Sequence, residues 1–445
     1  MTYLSRRRLL TSGAAASMLA ATGLPARAAA GGVLRLAVTA RGPGRLQSAV
    51  LASAVFGSLT KLDAGGALRG DLATAWEADS DARSWAFSLR RDATFHDGTP
   101  VHAGDVAAAL AKVTLSQGAE LRADGLHKLR ITLAQGDPGL PFLLADPRFA
   151  IAKDGLGSGP YRREGSALVP WSGAEGAARP FTRIELVEFE DPRDLTRAVI
   201  DGRADAAEAL DPAGLRPRNG RPAVTTLAAM DALQITAKGR HADALAQGLK
   251  IGIDRAALVQ GWLGGHGTVA TDCAMAAGPT APASDPDTAR AILRRARIAD
   301  ARIELSADLL HCPSAARLLQ VLAREAQTVG LSLALRDRSD PRPADLALSL
   351  RRVRLTPEAT LAEHPRDGLG RLPGFDARLA TLRAAPTTAE RQDLLAALSQ
   401  DVAHHSTTVI PVLRHMVVAH TPRLSLAAEA TARTGPDLTT RWAFA

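Results

Sequence analysis

His96 and Asp97 stand side by side ahead of Gly98, and a histidine beside a carboxylate is raw material for proton transfer or metal binding. Their adjacency works against both roles, because neighbours on a strand point to opposite faces. The pair therefore reads as part of a turn. His404 and His405 fail as a chelate for a related reason: successive helical residues lie about 100° apart, whereas metal pairs favour i and i+4. His266, His311, His364, His415 and His420 are scattered, with no carboxylate at a telling spacing. Gly157-Ser158-Gly159 lacks the G-x-S-x-G spacing of a nucleophile elbow and runs into Pro160, so it reads as a turn. Gly264, Gly265 and Gly267 around His266 lack the continuation of a phosphate loop and read as the stop of a helix ending at Leu263. Cys273 and Cys312 are too few for an iron–sulfur or zinc framework and form one candidate disulfide. These residues point to no catalytic constellation, no resident metal and no cofactor.

The elements around them alternate between strand and helix. Residues 33–38, 129–133, 184–189, 303–306, 331–335, 346–350 and 409–413 read as strands. Residues 46–62, 194–201, 242–263, 288–297, 314–329 and 388–404 read as helices, and 138–144 as a short apolar turn. Thr99 or Asp105 is a candidate cap for the helix that follows Pro100. This alternation predicts an α/β fold. At 445 residues, of which 46% are hydrophobic, the chain fills two or three domains.

The N-terminus carries a compartment signal. Ser5, Arg6, Arg7, Arg8, Leu9 and Leu10 precede a weakly apolar alanine-rich run and then Ala26-Arg27-Ala28. That succession has the charged, apolar and small-residue regions of a secretory signal, and its paired arginines resemble the twin-arginine type. Residues 1–30 are read as this signal, and the expected location is the periplasm. The formal net charge is +8, and the first thirty residues hold four arginines and no acid, so +4 remains for the mature chain. Spread over that length it is not a nucleic-acid signature.

Residues 87–106, FSLRRDATFHDGTPVHAGDV, carry the most specific signal. With Leu72, Ala73, Trp76 and Glu77 before them, they resemble an early segment of family 5 of the extracytoplasmic solute-binding proteins of ABC transporters. Further landmarks follow in that family's order: Gly157 to Tyr161, Gly202 with Asp205, Ile253-Asp254-Arg255, residues 285–296 and residues 375–411. The resemblance implies a two-lobed periplasmic-binding-protein fold of the cluster C type (type II), with a subdomain inserted in the first lobe. Lobe I is expected from 31–48, 156–231 and 420–445, the inserted subdomain from 49–155, and lobe II from 232–419. Hinges are expected near 228–233 and 417–421.

It also implies a monomeric receptor, not an enzyme, that captures a peptide or other small organic solute between its lobes. The expected partners are that solute and the permease subunits and ATPase of an ABC importer. Expected cleft residues are Phe56 and Thr60, Trp171, the crossing from Met230 to Gln234, and Arg351, Arg352 and Arg354 after the strand at 346–350. Peptide-binding members carry a Trp and a downstream Asp in that last stretch; here Arg351-Arg352-Val353-Arg354 has neither. A carboxylate-bearing solute is the expectation that follows. An exported enzyme or a non-transport ligand sensor on the same scaffold is the alternative.

Overall fold

The computed structural model describes residues 31–444 apart from 41–43, 64–65, 114, 116–117, 175–178, 217–221, 274–282, 338, 340, 370–371 and 427–441. The signal segment, 1–30, lies outside the described residues. β1 (Gly32–Thr39) opens the fold, with Leu34, Leu36 and Val38 in one core and Ala37 in another, so the strand is covered on both faces. α1 (Arg45–Val55) follows and stops at Phe56, whose backbone is extended, well short of the helix expected to residue 62.

An antiparallel subdomain comes next. β2 (Thr60–Leu62) and β3 (Leu68–Gly70) form a hairpin. β4 (Ala73–Ala78), β5 (Ser84–Leu89), β6 (Glu120–Ala123) and β7 (Lys128–Thr132) form a sheet in the order β4-β5-β7-β6. α2 (Ala103–Ala111) and the one-turn α3 (Leu140–Leu143), which replaces the turn expected over 138–144, join its core around Phe87, Phe95, Leu129 and Ile131.

The turn at Asp97-Gly98 is built as its residues require. The Asp97 carboxylate accepts from the backbone N–H and the hydroxyl of Thr99, and Gly98 holds a φ of +88°. With Thr99 so engaged, it is Asp105 that serves α2, accepting from the N–H of His102 at 3.0 Å. His96 faces away from Asp97: its N–H donates to the Gly157 carbonyl at 2.9 Å, and its Nε2 lies 3.1 Å from the Gly159 carbonyl. Gly157 and Gly159 in turn press on the end of α1, where a Cβ on Gly157 would fall 1.9 Å from the Val55 carbonyl oxygen. Two landmarks of the sequence therefore dock on each other and fix the subdomain to the body.

The chain returns through β8 (Tyr161–Glu164), β9 (Ala167–Pro170), β10 (Phe181–Phe189), α4 (Asp194–Ile200) and β11 (Ala206–Glu208). Asp205, fully buried ahead of β11, accepts from Arg35 N at 2.9 Å, Arg35 Nε at 3.2 Å and Arg423 Nη2 at 2.6 Å, tying three distant segments. Burial alone would raise this carboxyl, but the hydrogen bonds from Arg35 and Arg423 outweigh it and hold it below the ordinary carboxylate range. A depressed folded value means the stabilisation is present above the unfolded pKa, about 3.9, and is lost as pH falls through the folded value. Asp205→Asn is therefore expected to cost about 2 kcal/mol at pH 7. The deficit should shrink as denaturant melts are repeated below pH 4; a deficit that stays constant with pH would contradict the ionic account.

β12 (Ala223–Ala237) then crosses into a second body. This comprises α5 (Ala242–Gly252), α6 (Arg255–Leu263), β13 (Gly267–Val269), α7 (Pro286–Arg295), β14 (Asp300–Leu305), α8 (Ala307–Leu310) and α9 (Ala315–Thr328). It continues with β15 (Ser332–Leu335), β16 (Leu346–Arg352), α10 (Pro357–Ala362), α11 (Phe375–Ala384), α12 (Thr388–His405) and β17 (Thr408–Val409). β18 (Val412–His420) returns to the first body, where β19 (Leu424–Leu426) pairs with β20 (Trp442–Phe444). The single helix expected over 242–263 is two, because Ile253 is extended and the Asp254 carboxylate caps α6 through Ala257 N at 3.1 Å.

One twelve-stranded mixed sheet runs through both bodies, in the order β15-β14-β16-β12-β18-β11-β1-β10-β9-β8, with β13 and β17 on β18 and β12. β12 and β18 are its shared spine. They pair from Ala223↔His420 to Ala232↔Leu413, with bulges between Thr226 and Ala229 and between Ala229 and Asp231. Separate cores lie to either side: Leu34, Leu36, Phe181 and Met416 in the first, and Leu233, Leu249, Trp262 and Leu348 in the second.

Candidate functional site

Asp231 and Arg414 lie where the spine passes from one body to the other. Arg352, Asp231 and Arg414 are register partners on β16, β12 and β18, so their side chains share one face of the sheet. Asp231 is fully buried; Arg414 Nη2 donates to its Oδ2 at 2.7 Å, and Arg45 Nε, from the first turn of α1, lies 3.1 Å from its Oδ1. Glu208, at the end of β11, stands 3.9 Å from Arg414 and accepts from Leu46 N at 3.0 Å. A charged group in a buried strand is costly unless it is paired, and here the pairing reaches from one body to the other.

Electrostatics follow from that burial. Burial alone would lower the Arg414 guanidinium, and Asp231 chiefly, with Cys312 and Glu208, more than reverses it, so it stays charged. Burial pushes the Glu208 carboxyl up against the pull of Arg414. Arg352 is lowered by burial and then by its neighbour Arg45, with Asp231 and Asp146 acting the other way.

Beside these groups opens a cleft of ≈ 620 Å³, a size that suits a small organic ligand. The first body contributes Thr39, Gly44, Arg45, Glu208 and Leu210 to its wall, and the second contributes Ala307, Asp308, Cys312, Pro313, Leu350 and Arg414. Ion pairs close the gap elsewhere. Arg317 meets Asp211 at 3.2 Å, Arg148 meets Glu363 at 3.1 Å, and Arg391 reaches Glu358 at 3.3 Å and Asp137 at 3.6 Å.

None of the residues expected at a cleft is among those lining this one; Arg352 shares the sheet face of Asp231, and Arg354 follows β16. Arg354 Nε donates to Glu363 at 2.6 Å. Arg351 pairs opposite Ala232, points to the other face and is exposed. Gln234 is buried on β12, and its Oε1 has no hydrogen-bond partner among the described residues. Met230 lies in β12, and its side chain is outside the described residues. Phe56 packs on the first core. Thr60 is fully buried and donates its hydroxyl to the Pro141 carbonyl at 2.6 Å. Trp171 stands edge-on to His96 at 5.7 Å, with the Arg162 guanidinium 5.6 Å from its ring.

The expected disulfide is corrected. Cys273 is buried in a small core with Leu361, Phe375 and Leu398, whereas the Cys312 thiol stands on the cleft wall, 3.2 Å from Ser314 Oγ and 3.9 Å from the Leu210 carbonyl. The two thiols belong to different environments and are not joined. Arg45, Glu208 and Arg414 escaped the sequence reading, and Asp231, though inside the expected crossing from Met230 to Gln234, was not singled out. Their signal was present: Asp231 interrupts an otherwise uncharged run, and Arg414 sits within the apolar run at 409–418. A charge in such a run requires a buried partner.

The comparisons bear on the family and the fold. Residues 67–345 match the model of the bacterial extracellular solute-binding proteins, family 5 middle. The probable D,D-dipeptide-binding periplasmic protein DdpA of Escherichia coli (strain K12) is 27% identical over 178 residues, 32% of this chain and 34% of that relative's length. The match thus spans about a third of the curated relative. Among solved structures, the Escherichia coli murein tripeptide binding protein MppA is similar with a TM-score of 0.74 at 16% identity, covering 94% of this chain and 99% of that one. The binding protein AgaA of A. tumefaciens R10, solved with agropinic acid, gives a TM-score of 0.73 at 16% identity, covering 93% and 99%. The fold is accordingly the two-lobed α/β fold of periplasmic binding proteins, the two bodies being its lobes, and the chain belongs to the bacterial extracellular solute-binding proteins, family 5.

Proposed function

We propose that this protein is a periplasmic receptor that takes up one small organic solute between its lobes and presents it to the membrane subunits of an ABC importer. The observation that carries the reading is the Arg45–Asp231–Arg414–Glu208 cluster, which joins the lobes beside a ≈ 620 Å³ cleft. A solute touching both walls stabilises the closed arrangement relative to the open one, and the importer then distinguishes loaded from empty receptor. The bulged stretch of β12 from Thr226 to Asp231 supports its use as one hinge strand, with β18 as the other. Export follows the twin-arginine route signalled by Arg6 and Arg7, and the receptor works as a monomer. Relatives named for a dipeptide, a murein tripeptide and agropinic acid support a solute of that size.

The test is native mass spectrometry on the exported protein purified without denaturant. A bound small mass is expected that unfolding and refolding removes, and returning the solute should raise the melting temperature. A bare mass together with a melting temperature indifferent to every solute class would refute the reading.

A further inference from the structure

Glu208 stands on the wall of the ≈ 620 Å³ cleft and is itself 5% exposed. Its Oε2 accepts from Leu46 N at 3.0 Å, whereas its Oε1 takes no hydrogen bond from any described residue. The ion pair that Oε1 makes there is a long one, 3.9 Å from Arg414 Nη2, and that nitrogen is already spent on Asp231 at 2.7 Å. Burial accordingly pushes the Glu208 carboxyl up, with Arg414 too far away to prevent it. A buried carboxylate oxygen short of donors is unfavourable, and this one opens only on the cleft.

The rest of the described lining points the same way. Glu190 and Asp191 of lobe I and Asp308 of lobe II bring three further carboxylates, against Arg45, Arg193 and Arg414. Two of those guanidiniums are committed to Asp231 behind the wall, Arg45 at 3.1 Å and Arg414 at 2.7 Å. Asp308 keeps only the far end of Arg45, at 3.9 Å, and Arg193 is exposed. Leu210, Leu310 and Pro313 add apolar surface, and Leu310 is 52% exposed. Carboxylates from both lobes thus line one gap, where a cation between them would turn repulsion into attraction.

We propose that the cleft selects a small organic cation, an amine with a compact apolar body and no free carboxylate, and that Glu208 receives its ammonium group. The inference rests on the cleft reading above and adds the chemistry that the cleft selects. It replaces the carboxylate-bearing solute expected from Arg351 to Arg354. Arg351 is exposed on the other face of the sheet, Arg354 is held by Glu363 at 2.6 Å, and none of the three arginines lines the cleft. A carboxylate on the solute would meet no uncommitted guanidinium on the buried wall.

Cys312 gives the test a handle, because its thiol lies on the same wall while Cys273 is buried in a separate core. The mature protein and Glu208→Gln are treated with cystamine, 2-hydroxyethyl disulfide and 3,3′-dithiodipropionate, which are amine, neutral and carboxylate disulfides of similar size. The Cys312 thiolate attacks one sulfur, forms the mixed disulfide and expels the other half as its thiolate. Rates are read by intact mass, assigned by peptide mapping and divided by those of 2-mercaptoethanol. Cystamine should lead the carboxylate disulfide by about tenfold or more, and Glu208→Gln should cut that lead roughly threefold or more. Equal rates, a lead for the carboxylate disulfide, or a lead untouched by Glu208→Gln overturns the inference and leaves the cleft reading intact. The small mass released on unfolding should be an amine without a carboxylate; an acid, a zwitterion or a neutral solute has the same consequence. Without ligand, Glu208→Gln should melt no lower than the parent, because its amide oxygen still accepts from Leu46 N and an under-compensated charge is gone. A loss of several degrees would mark Glu208 as structural and overturn the inference. A Cys312 that reacts with none of the three disulfides, in a protein that releases no small mass, overturns both.

Discussion

Arg414→Leu is expected to destabilise the protein by about 3–5 kcal/mol, the usual cost of stripping the partner from a buried charge. Asp231 is fully buried and takes its shortest ion pair, 2.7 Å, from Arg414. Arg45 remains at 3.1 Å, but it belongs to α1 of the other lobe and is 30% exposed, so it cannot replace a guanidinium fixed on the neighbouring strand. Glu208 loses its cation as well and would move further towards the protonated form. Thermal melting should fall by roughly 6–20 °C. The double variant Asp231→Leu/Arg414→Leu should recover much of the loss, since removing both charges removes the desolvation penalty too. A single variant that melts within a degree of the parent would show that the pair contributes little to joining the lobes.

Arg255→Met should cost a comparable amount, about 3–5 kcal/mol, and confine it to lobe II. Arg255 is 4% exposed, donates to the Ala270 carbonyl at 2.6 Å and the Lys250 carbonyl at 3.0 Å, and meets Asp272 at 2.6 Å. Asp272 in turn accepts from Ile410 N at 3.0 Å, so one guanidinium ties the α5–α6 corner to the strand leading into β18. Burial pushes the Asp272 carboxyl up even with Arg255 beside it; without Arg255 the carboxylate would be left in the interior near Lys250 alone. Chemical unfolding followed by a lobe II probe, the fluorescence of Trp262, should show the shifted midpoint, with a first-lobe probe moving less. Equal shifts at both would contradict the local account.

These two arginines mark the limits of what the chain reveals before it is folded. Arg255 lies in a landmark readable from sequence, as do His96, Gly157 and Asp205, and each is a fixed point of the scaffold. Local signals also place most strands and helices, because periodicity and caps act over a few residues. They fail where a local choice is decided by a hydrogen bond, as at Asp254, which splits one apolar run into two helices.

The cleft itself is not local. Asp231 and Arg414 stand 183 residues apart, and only the β12–β18 register brings them together. Side-chain alternation decided the rest: Arg351 and Arg352 look alike in sequence, and strand pairing sends the first to solvent and the second to the seam. Phe56 packs on the first core, Thr60 bonds to the Pro141 carbonyl and Trp171 stands against His96, contacts that no local signal announces. For Cys273 and Cys312 the sequence offered no distance at all.

The proposed function requires a solute lodged between the lobes, beside Arg45 and Arg414. The most direct measurement is a crystal structure of the protein purified with its solute. Ligand density is expected in contact with both Arg45 of lobe I and the lobe II wall at Asp308, Cys312 and Arg414. Density held by one lobe alone, or outside this cleft, would contradict it.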